Sequence, residues 1–351
     1  MDFDYLVFIG RFEPFHNGHA AVARHALAKA TKLIVLIGSA DMPRTIKNPW
    51  SVAERTVMIQ SVFAGHNARL IIKPLRDHLY NETQWITNVQ RLVAEAVAED
   101  PDRTSGTPRI GLIGKDKDGS SYYLREFPQW ALVDVKHTES LSASELRRYL
   151  FEANQVNSHG GLMLIRANLP SPVYEMLDAF RRSSPAFQQL VAEHQFIENY
   201  RAAWDQAPYP PTFVTTDAVV VHSGHVLLVR RRAEPGKGLW ALPGGFVHTD
   251  ETLLGGCLRE LREETRLRVP VPVLKGSLKN SQVFDHPDRS LRGRTITHAF
   301  HFDFPAGELP TVRGGDDAEK ARWISISEAL DMGNQLFEDH LHILEFFLGH
   351  G

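Results

Sequence analysis

A chain of 351 residues is longer than one ordinary hydrophobic core needs and points to two domains. Its 43% hydrophobic and 23% charged residues are those of a globular protein, no apolar run reaches the ~18 residues of a membrane span, and a formal net charge of -3 excludes a surface built throughout to attract nucleic acid. The single cysteine, Cys257, excludes an internal disulfide; with an N-terminus that lacks the basic start of a secretory signal, it sets the cytoplasm as the expected compartment.

In chain order, residues 5–9 form an apolar run ending at Gly10, residues 18–30 are helix-like, and residues 32–38 form a second apolar run: a βαβ unit. Strand candidates at 68–73, 110–114 and 131–135 alternate with helical stretches, one opened by the capping-box pair Ser51 and Glu54. The expected fold of residues 1–170 is a doubly wound, Rossmann-like parallel sheet. Between 172 and 204, Val173, Met176, Leu177 and Phe180, then Phe187, Leu190, Val191 and His194, repeat at helical spacing until Pro208, Pro210 and Pro211 stop the pattern. Residues 171–208 are therefore expected as a helical segment that connects the domains or packs against the first, with the boundary near Pro208. Over residues 209–351, runs at 213–221, 226–232, 277–284, 295–304 and 321–324 read as strands around one clear helix at 253–264, a second α/β domain. No internal repeat relates the halves.

In an open parallel sheet, ligands bind at the turn from the first strand to the first helix, where unpaired N–H groups and the helix dipole favour phosphate. Here that turn is residues 10–19. Gly10, Arg11, Phe12 and Gly18 become candidates for the nucleotide contact, Gly18 by allowing close backbone approach and Arg11 by adding a permanent cation. His16 and His19, three residues apart at the helix start, can face one anion. Ser142, Ser144 and Arg147 form a second such start, with capping hydroxyls and a cation one turn in.

The tetrad His16–Asn17–Gly18–His19 and the segment from Ser142 to Arg147 resemble the HxGH and SxTxxR signatures of the nucleotidyltransferase superfamily, with Ser144 keeping the hydroxyl of the usual threonine. Residues 10–19, 37–59 and 81–89 more closely resemble nicotinamide-mononucleotide adenylyltransferases of the archaeal-like type. That resemblance implies in-line attack of the mononucleotide phosphate on the α-phosphorus of ATP with release of pyrophosphate, and no protein nucleophile. By the same resemblance His16 and His19 meet the ATP phosphates, Arg11 and Arg147 the β/γ region and the leaving pyrophosphate, Ser142 and Ser144 a phosphate or the helix start. The resemblance also implies that Trp85 stacks on the nicotinamide ring and that Mg²⁺ bridges phosphate oxygens, with Arg44 and Asn48 as further substrate-binding candidates.

In the second domain, Glu260, Glu263 and Glu264 fall at i, i+3 and i+4 of a helix, and carboxylates on one face repel unless a hard cation such as Mg²⁺ or Mn²⁺ lies between them. Gly245, Glu251, Arg259, Glu260, Leu261, Glu263, Glu264 and Leu267 stand at the spacing of the Nudix box, and Arg266 stands where the box has its last glycine. This resemblance implies a Nudix α/β/α sandwich in which a metal held by Glu260, Glu263, Glu264 and Gly244 activates water against a diphosphate, Arg259 orients the glutamates and Glu251 is an accessory carboxylate. Residues 282–302 and 313–328 resemble Nudix enzymes acting on ADP-ribose, which implies cleavage to AMP and ribose 5-phosphate. Arg289, Arg292 and Arg294 are candidates for phosphate contact, and Asp316, Asp317 or Glu319 for the base.

The whole architecture resembles bifunctional bacterial proteins that join these two activities. The expected partners are small molecules, namely ATP, nicotinamide mononucleotide and ADP-ribose, with no nucleic acid and no membrane; self-association is left open. Nicotinic acid mononucleotide or pantetheine phosphate as acceptor, another nucleoside diphosphate derivative as hydrolase substrate, and a Nudix domain that senses NAD metabolites are the alternatives. Residues 324–351 are too short to add an ordinary winged helix to that last reading.

Overall fold

The apolar runs of the N-terminal half become five strands, β1 (Phe3–Gly10), β2 (Ala30–Ile37), β3 (Leu70–Pro74), β4 (Ile110–Gly114) and β5 (Ala131–Asp134), in the order β3-β2-β1-β4-β5 with every pair parallel. The computed structural model describes residues 1–114, 124–135, 141–152, 159–315 and 317–349. It divides into two units, Met1–Val191 and Ala192–Gly351. In the first, the chain leaves β1 toward β2 and β3 and returns on the other side as β4, so the strand order reverses at the carboxyl end of β1, where a doubly wound sheet opens a crevice. Helix α1 (Asn17–Lys29) starts there. Helix α2 (Val52–Val62) opens with the expected reciprocal cap, Glu54 N donating to Ser51 Oγ at 3.2 Å and Ser51 N to Glu54 Oε2 at 2.6 Å. Helices α3 (Glu82–Ala98), α4 (Ala143–Glu152), α5 (His159–Asn168) and α6 (Ser171–Ser183) complete the cover.

Helix α7 (Pro185–Ala202) contains the division between the units. Val173, Leu177, Phe187 and Leu190 join the core that contains Leu6, Leu33 and Ile113, so packing carries the helical segment into the first unit as far as Val191. Packing thus divides the chain within the helix, ahead of the prolines near Pro208: proline ends a helix but does not decide which core the helix buries its side chains in.

The second unit is a mixed sheet, β10-β11-β6-β7-β12, built from β6 (Thr212–His222), β7 (His225–Arg231), β10 (Leu278–Phe284), β11 (Arg294–Phe304) and β12 (Ala318–Ser325). The short strands β8 (Trp240–Ala241) and β9 (Gly244–Phe246) pair with β7 and β6 respectively. β6 and β11 run parallel over eleven residues each, while β10 and β12 pair antiparallel with their neighbours. Helix α8 (Leu253–Thr265) buries Cys257, Leu258 and Leu261 against Val220, Leu227 and Phe302, leaving its glutamates on other faces. Helices α9 (Val271–Gly276), α10 (Ile326–Asp331) and α11 (His340–Leu348) follow. Among the described residues no helix is long and apolar enough to cross a membrane.

Candidate active sites

At the crevice of the first unit, His16 caps α1 and its ring stacks on His19 with centroids 3.7 Å apart. Gly18 N donates to His16 Nδ1 at 3.1 Å, and His16 N donates to His19 Nδ1 at 3.3 Å. Each Nδ1 therefore acts as an acceptor, which leaves the proton of a neutral ring on Nε2. The helix start thus carries two stacked imidazoles, each held through its Nδ1 by a backbone N–H.

Arg147, buried on α4, donates Nη1 to Glu13 O and Nη2 to Ser144 Oγ at 3.1 Å. Burial and the nearby Arg11 push its guanidinium down to about 10. No carboxylate among the described residues pairs with Arg11. Two cations held together in this way are stabilised by an anion. Ser142 is committed to the helix start, accepting from Glu145 N at 3.3 Å and donating to Glu145 Oε2 at 2.7 Å, so of its two expected tasks the structure shows the cap.

A buried ion pair supports this turn. Glu13, 1% exposed, accepts from Trp50 N at 3.1 Å and pairs with Arg55 Nε at 3.2 Å, and burial raises its carboxyl to about 7 in spite of Arg55. Arg55, also 1% exposed, donates Nη1 to Arg11 O at 2.8 Å and Gly38 O at 2.7 Å, and Nη2 to Ser39 O at 3.3 Å. One guanidinium therefore ties the loops after β1 and β2 to the start of α2. The sequence reading missed both residues.

The other candidates separate. Phe12 is corrected: its side chain is buried, edge-on to Phe8 at 5.1 Å and to His19 at 5.0 Å, so it props the imidazole and presents no face to a substrate. Gly10 makes room for that ring, because a Cβ there would lie 2.9 Å from it. Arg44 donates to Glu54 Oε2 at 2.8 Å and lies over the Phe180 ring, while buried Asn48 keeps Oδ1 without a hydrogen-bond donor. Trp85 is half-buried on α3, its ring 6.2 Å from Phe127.

In the second unit, a cavity of about 400 Å³ is lined by Glu260 and Glu264 from α8, Gly244 and Gly245 from β9, and Asp217 from β6. The glycines permit the approach: a Cβ on Gly244 would lie 2.1 Å from Thr216 O, and one on Gly245 2.6 Å from Glu260 Oε1. Gly244 N donates to Glu264 Oε2 at 3.0 Å. Burial nevertheless raises Glu264 to about 8 and moves Glu260 in the same direction. Two such oxygen groups, both costly to ionise without a cation, form a donor set that fits a hard divalent ion. Among the described residues no group of three or more ligating side chains is already gathered.

Glu263 is corrected in its placement. It does not line this cavity; its Oε2 accepts from Arg259 Nη1 at 3.0 Å on the outer side of the helix. Helical geometry is the reason, since Glu260 and Glu264 lie nearly in line and Glu263 is turned by about 100° from Glu264. Arg259 also holds Glu260 at 2.8 Å and clamps Glu251 through Nε at 3.0 Å and Nη2 at 2.7 Å, which drives the Glu251 carboxyl down to about 2.

Arg292 lines the cavity and lies over the Phe246 ring at 5.0 Å. Arg289 lines it too, but its Nε and Nη2 are bound to buried Asp339 at 2.9 and 2.8 Å. Arg294 is corrected: it lies outside the cavity, with Nη1 on Asp285 O and Nη2 3.7 Å from Asp285 Oδ2. Arg231, which the sequence groups with Arg230 and Arg232, lines the cavity over the Phe337 ring at 4.0 Å. Of the base candidates Asp317 lines the cavity, Glu319 lies near Arg230 away from it, and Asp316 lies outside the described residues.

Residues 7–148 match the cytidylyltransferase-like family, and residues 211–345 the NUDIX domain family. The nicotinamide/nicotinic acid mononucleotide adenylyltransferase of Acinetobacter baylyi is 37% identical over 180 residues, which is 50% of this chain and 92% of that protein. The ADP-ribose pyrophosphatase of Methanocaldococcus jannaschii is 36% identical over 137 residues, 38% of this chain and 72% of that protein. Over 99% of both chains, the structure is similar to a bifunctional NMN adenylyltransferase/ADP ribose pyrophosphatase from Francisella tularensis, at 35% identity and a TM-score of 0.87. A second structure of that description, complexed with AMP and a manganese ion, gives a TM-score of 0.88.

Proposed function

We infer the reactions of this chain from the family to which it belongs, the bifunctional nicotinamide-mononucleotide adenylyltransferases/ADP-ribose pyrophosphatases: it transfers AMP from ATP to nicotinamide mononucleotide, giving NAD and pyrophosphate, and hydrolyses ADP-ribose to AMP and ribose 5-phosphate. For the first reaction, the observation that carries the reading is the pair of stacked imidazoles whose Nδ1 atoms are both occupied by backbone donors. Their Nε2–H groups, the start of α1 and the cations of Arg11 and Arg147 receive the triphosphate. The acceptor phosphate attacks the α-phosphorus in line, and stabilisation of charge on the leaving pyrophosphate is the protein's contribution. Trp85 is the stacking partner of the nicotinamide ring, and Asn48 Oδ1 is an acceptor for a substrate donor.

For the second reaction the carrying observation is the cavity in which Glu260 and Glu264 meet β9. These two carboxylates, with a peptide carbonyl of β9 at Gly244, would hold Mg²⁺ or Mn²⁺. Such an ion would supply activation of a water and counter-charge for the diphosphate. The chain's own contribution is the fixed carboxylate pair, kept in place by Arg259, and two arginines, Arg231 and Arg292, restrained on aromatic rings where a diphosphate needs counter-charge. Asp317, which lines the cavity, would serve as the base in this reading. The cytoplasm is the compartment that goes with this reading.

The test is direct. The protein is incubated with ATP, nicotinamide mononucleotide and Mg²⁺, and separately with ADP-ribose and Mg²⁺ or Mn²⁺, and the products are resolved by chromatography. NAD in the first mixture and AMP with ribose 5-phosphate in the second are expected. Greater turnover with nicotinic acid mononucleotide overturns the acceptor assignment, and intact ADP-ribose overturns the second reaction.

A further inference from the structure

The outer side of α8 carries a second concavity, a groove of about 1780 Å³ that shares no lining residue with the hydrolase cavity. One wall is α8 from Gly255 onward with the chain that runs on to Lys275, and the other is residues 310–314. Backbone bonds tie the two walls together, Arg313 N donating to Thr265 O at 2.8 Å and Gly315 N to Glu264 O at 3.0 Å. The groove is therefore set by the fold itself, so a ligand that enters it has little to order.

Six cationic side chains line this groove against a single carboxylate, in a chain whose formal net charge is -3. The carboxylate is Glu263, already engaged by Arg259 at 3.0 Å. Arg262, Arg266, Arg268, Lys275 and Arg313 are all exposed and make no ion pair or side-chain hydrogen bond with any described residue. The negative end of the helix dipole accounts for Arg262 and Arg266, at the last turn and the cap of α8, but not for Arg268, for Lys275 on α9 or for Arg313 on the opposite wall. Arg266 also stands at a cost: it adopts φ +54°, a conformation that glycine takes without strain, at the place where the Nudix box has its last glycine. The rest of the lining is largely apolar, with Leu258 and Leu267 buried and Val269, Val271 and Val312 half-buried.

The groove is larger than the ~300–1,000 Å³ that encloses a small molecule, so the anion it suits is a chain. Single-stranded nucleic acid needs aromatic faces for its bases, and among the described residues none lines the groove. A bare phosphate chain would leave the valines and leucines without a contact. An extended acidic peptide uses both halves of the lining, because its successive side chains point to opposite sides and can give carboxylates to the guanidinium groups and aliphatic groups to the valines. Five of the six cations are arginine, the cation that protein-binding surfaces favour over lysine. We propose that this groove is the docking site for an extended acidic segment of another protein, one in which carboxylates alternate with aliphatic side chains. Arg266 then trades strain at the helix end for a contact to that partner.

The probe is a short fluorescein-labelled peptide of alternating glutamate and valine, titrated with the full chain and followed by fluorescence polarisation. Binding in the micromolar range that weakens with added salt is expected. The corresponding glutamate–serine peptide, which offers the valines nothing, is expected to bind on the order of tenfold more weakly. Arg268→Ser/Arg313→Ser is expected to lose on the order of tenfold in affinity for the glutamate–valine peptide, and Arg266→Gly about threefold. Arg266→Gly relieves strain in the fold, so its weaker binding is not a loss of structure, and both variants are expected to make NAD and cleave ADP-ribose at parental rates. No binding by the parent, equal affinity for the two peptides, unchanged affinity in either variant, or tighter binding of inorganic polyphosphate or oligouridylate than of the peptide overturns the proposal. So does a self-associated parent that the double variant dissociates, since the groove is then a contact between copies of this chain.

Discussion

Replacing Arg55 by methionine tests whether the adenylyltransferase crevice depends on one buried guanidinium. Methionine fills much of the same volume, so the loss is chiefly polar. Arg55 supplies bonds to the carbonyls of Arg11, Gly38 and Ser39 and is the ion-pair partner of Glu13, with both side chains 1% exposed. Breaking a buried pair on one side costs roughly 3–5 kcal/mol, because the remaining charge stays buried without its counter-ion. Taking about 4 kcal/mol, amide exchange that proceeds through unfolding of the first unit accelerates roughly a thousandfold. Hydrogen exchange read on peptides from β1, β2 and α2 reports this unit separately from the second. Adding Glu13→Gln removes the orphaned charge and is expected to recover part of the loss. The pH dependence has a definite sign: the folded carboxyl is raised from 4.5 to about 7, so its linked stability is full below the lower value and is lost as pH rises through the upper one. The methionine variant therefore suffers most above about pH 7. Unchanged exchange in those peptides on either side of that pH would refute the reasoning.

His19→Ala is expected to abolish NAD synthesis while ADP-ribose cleavage continues at the parental rate, and synthesis at the parental rate in a folded variant would remove the imidazole from the phosphate site. Glu264→Gln, which keeps shape and helix propensity, should lose nearly all ADP-ribose cleavage and retain NAD synthesis, both measured on one preparation with circular dichroism as the folding control. Trp85→Ala should raise the KM for nicotinamide mononucleotide by about five- to thirtyfold, the equivalent of ~1–2 kcal/mol of stacking, with little change for ATP; equal effects on both substrates rule out the stack. Arg266 ends α8 with φ +54°, a conformation glycine adopts without strain, so Arg266→Gly should stabilise the second unit by about 1 kcal/mol, and a lower thermal midpoint would contradict this.

The first sheet was legible because its strands are short apolar runs separated by helices with recognisable starts. Ser51 and Glu54 form the cap their spacing implies, and His16 and His19 meet at the start of α1. Arg55 and Glu13 were not read, although a signal was present: Arg55 stands at i of an i, i+3, i+4 set whose other members, Met58 and Ile59, are buried. A charge at a core position of an amphipathic helix implies a buried partner, and only the folded chain could name Glu13, thirty-seven residues from Trp50 in sequence yet bonded to its amide.

The second site shows why a motif can identify chemistry without giving its geometry. The spacing of Glu260, Glu263 and Glu264 marks carboxylates on a helix, but a helix face is wide enough for i, i+3 and i+4 to part company. Glu263, turned by about 100° from Glu264, meets Arg259 on the outer side of the helix, while Glu264 is buried against Gly244. The same consideration separates Arg231 from its flanking arginines, since adjacent strand residues face opposite sides and only Arg231 lines the cavity. Phe196 and Tyr200 carried no chemical signature at all, because aromatic residues four apart are what any packed helix shows. What distinguishes them is that they line a cavity that already contains carboxylates and arginines, and that is a property of where the last turns of α7 lie within the second unit rather than of their sequence.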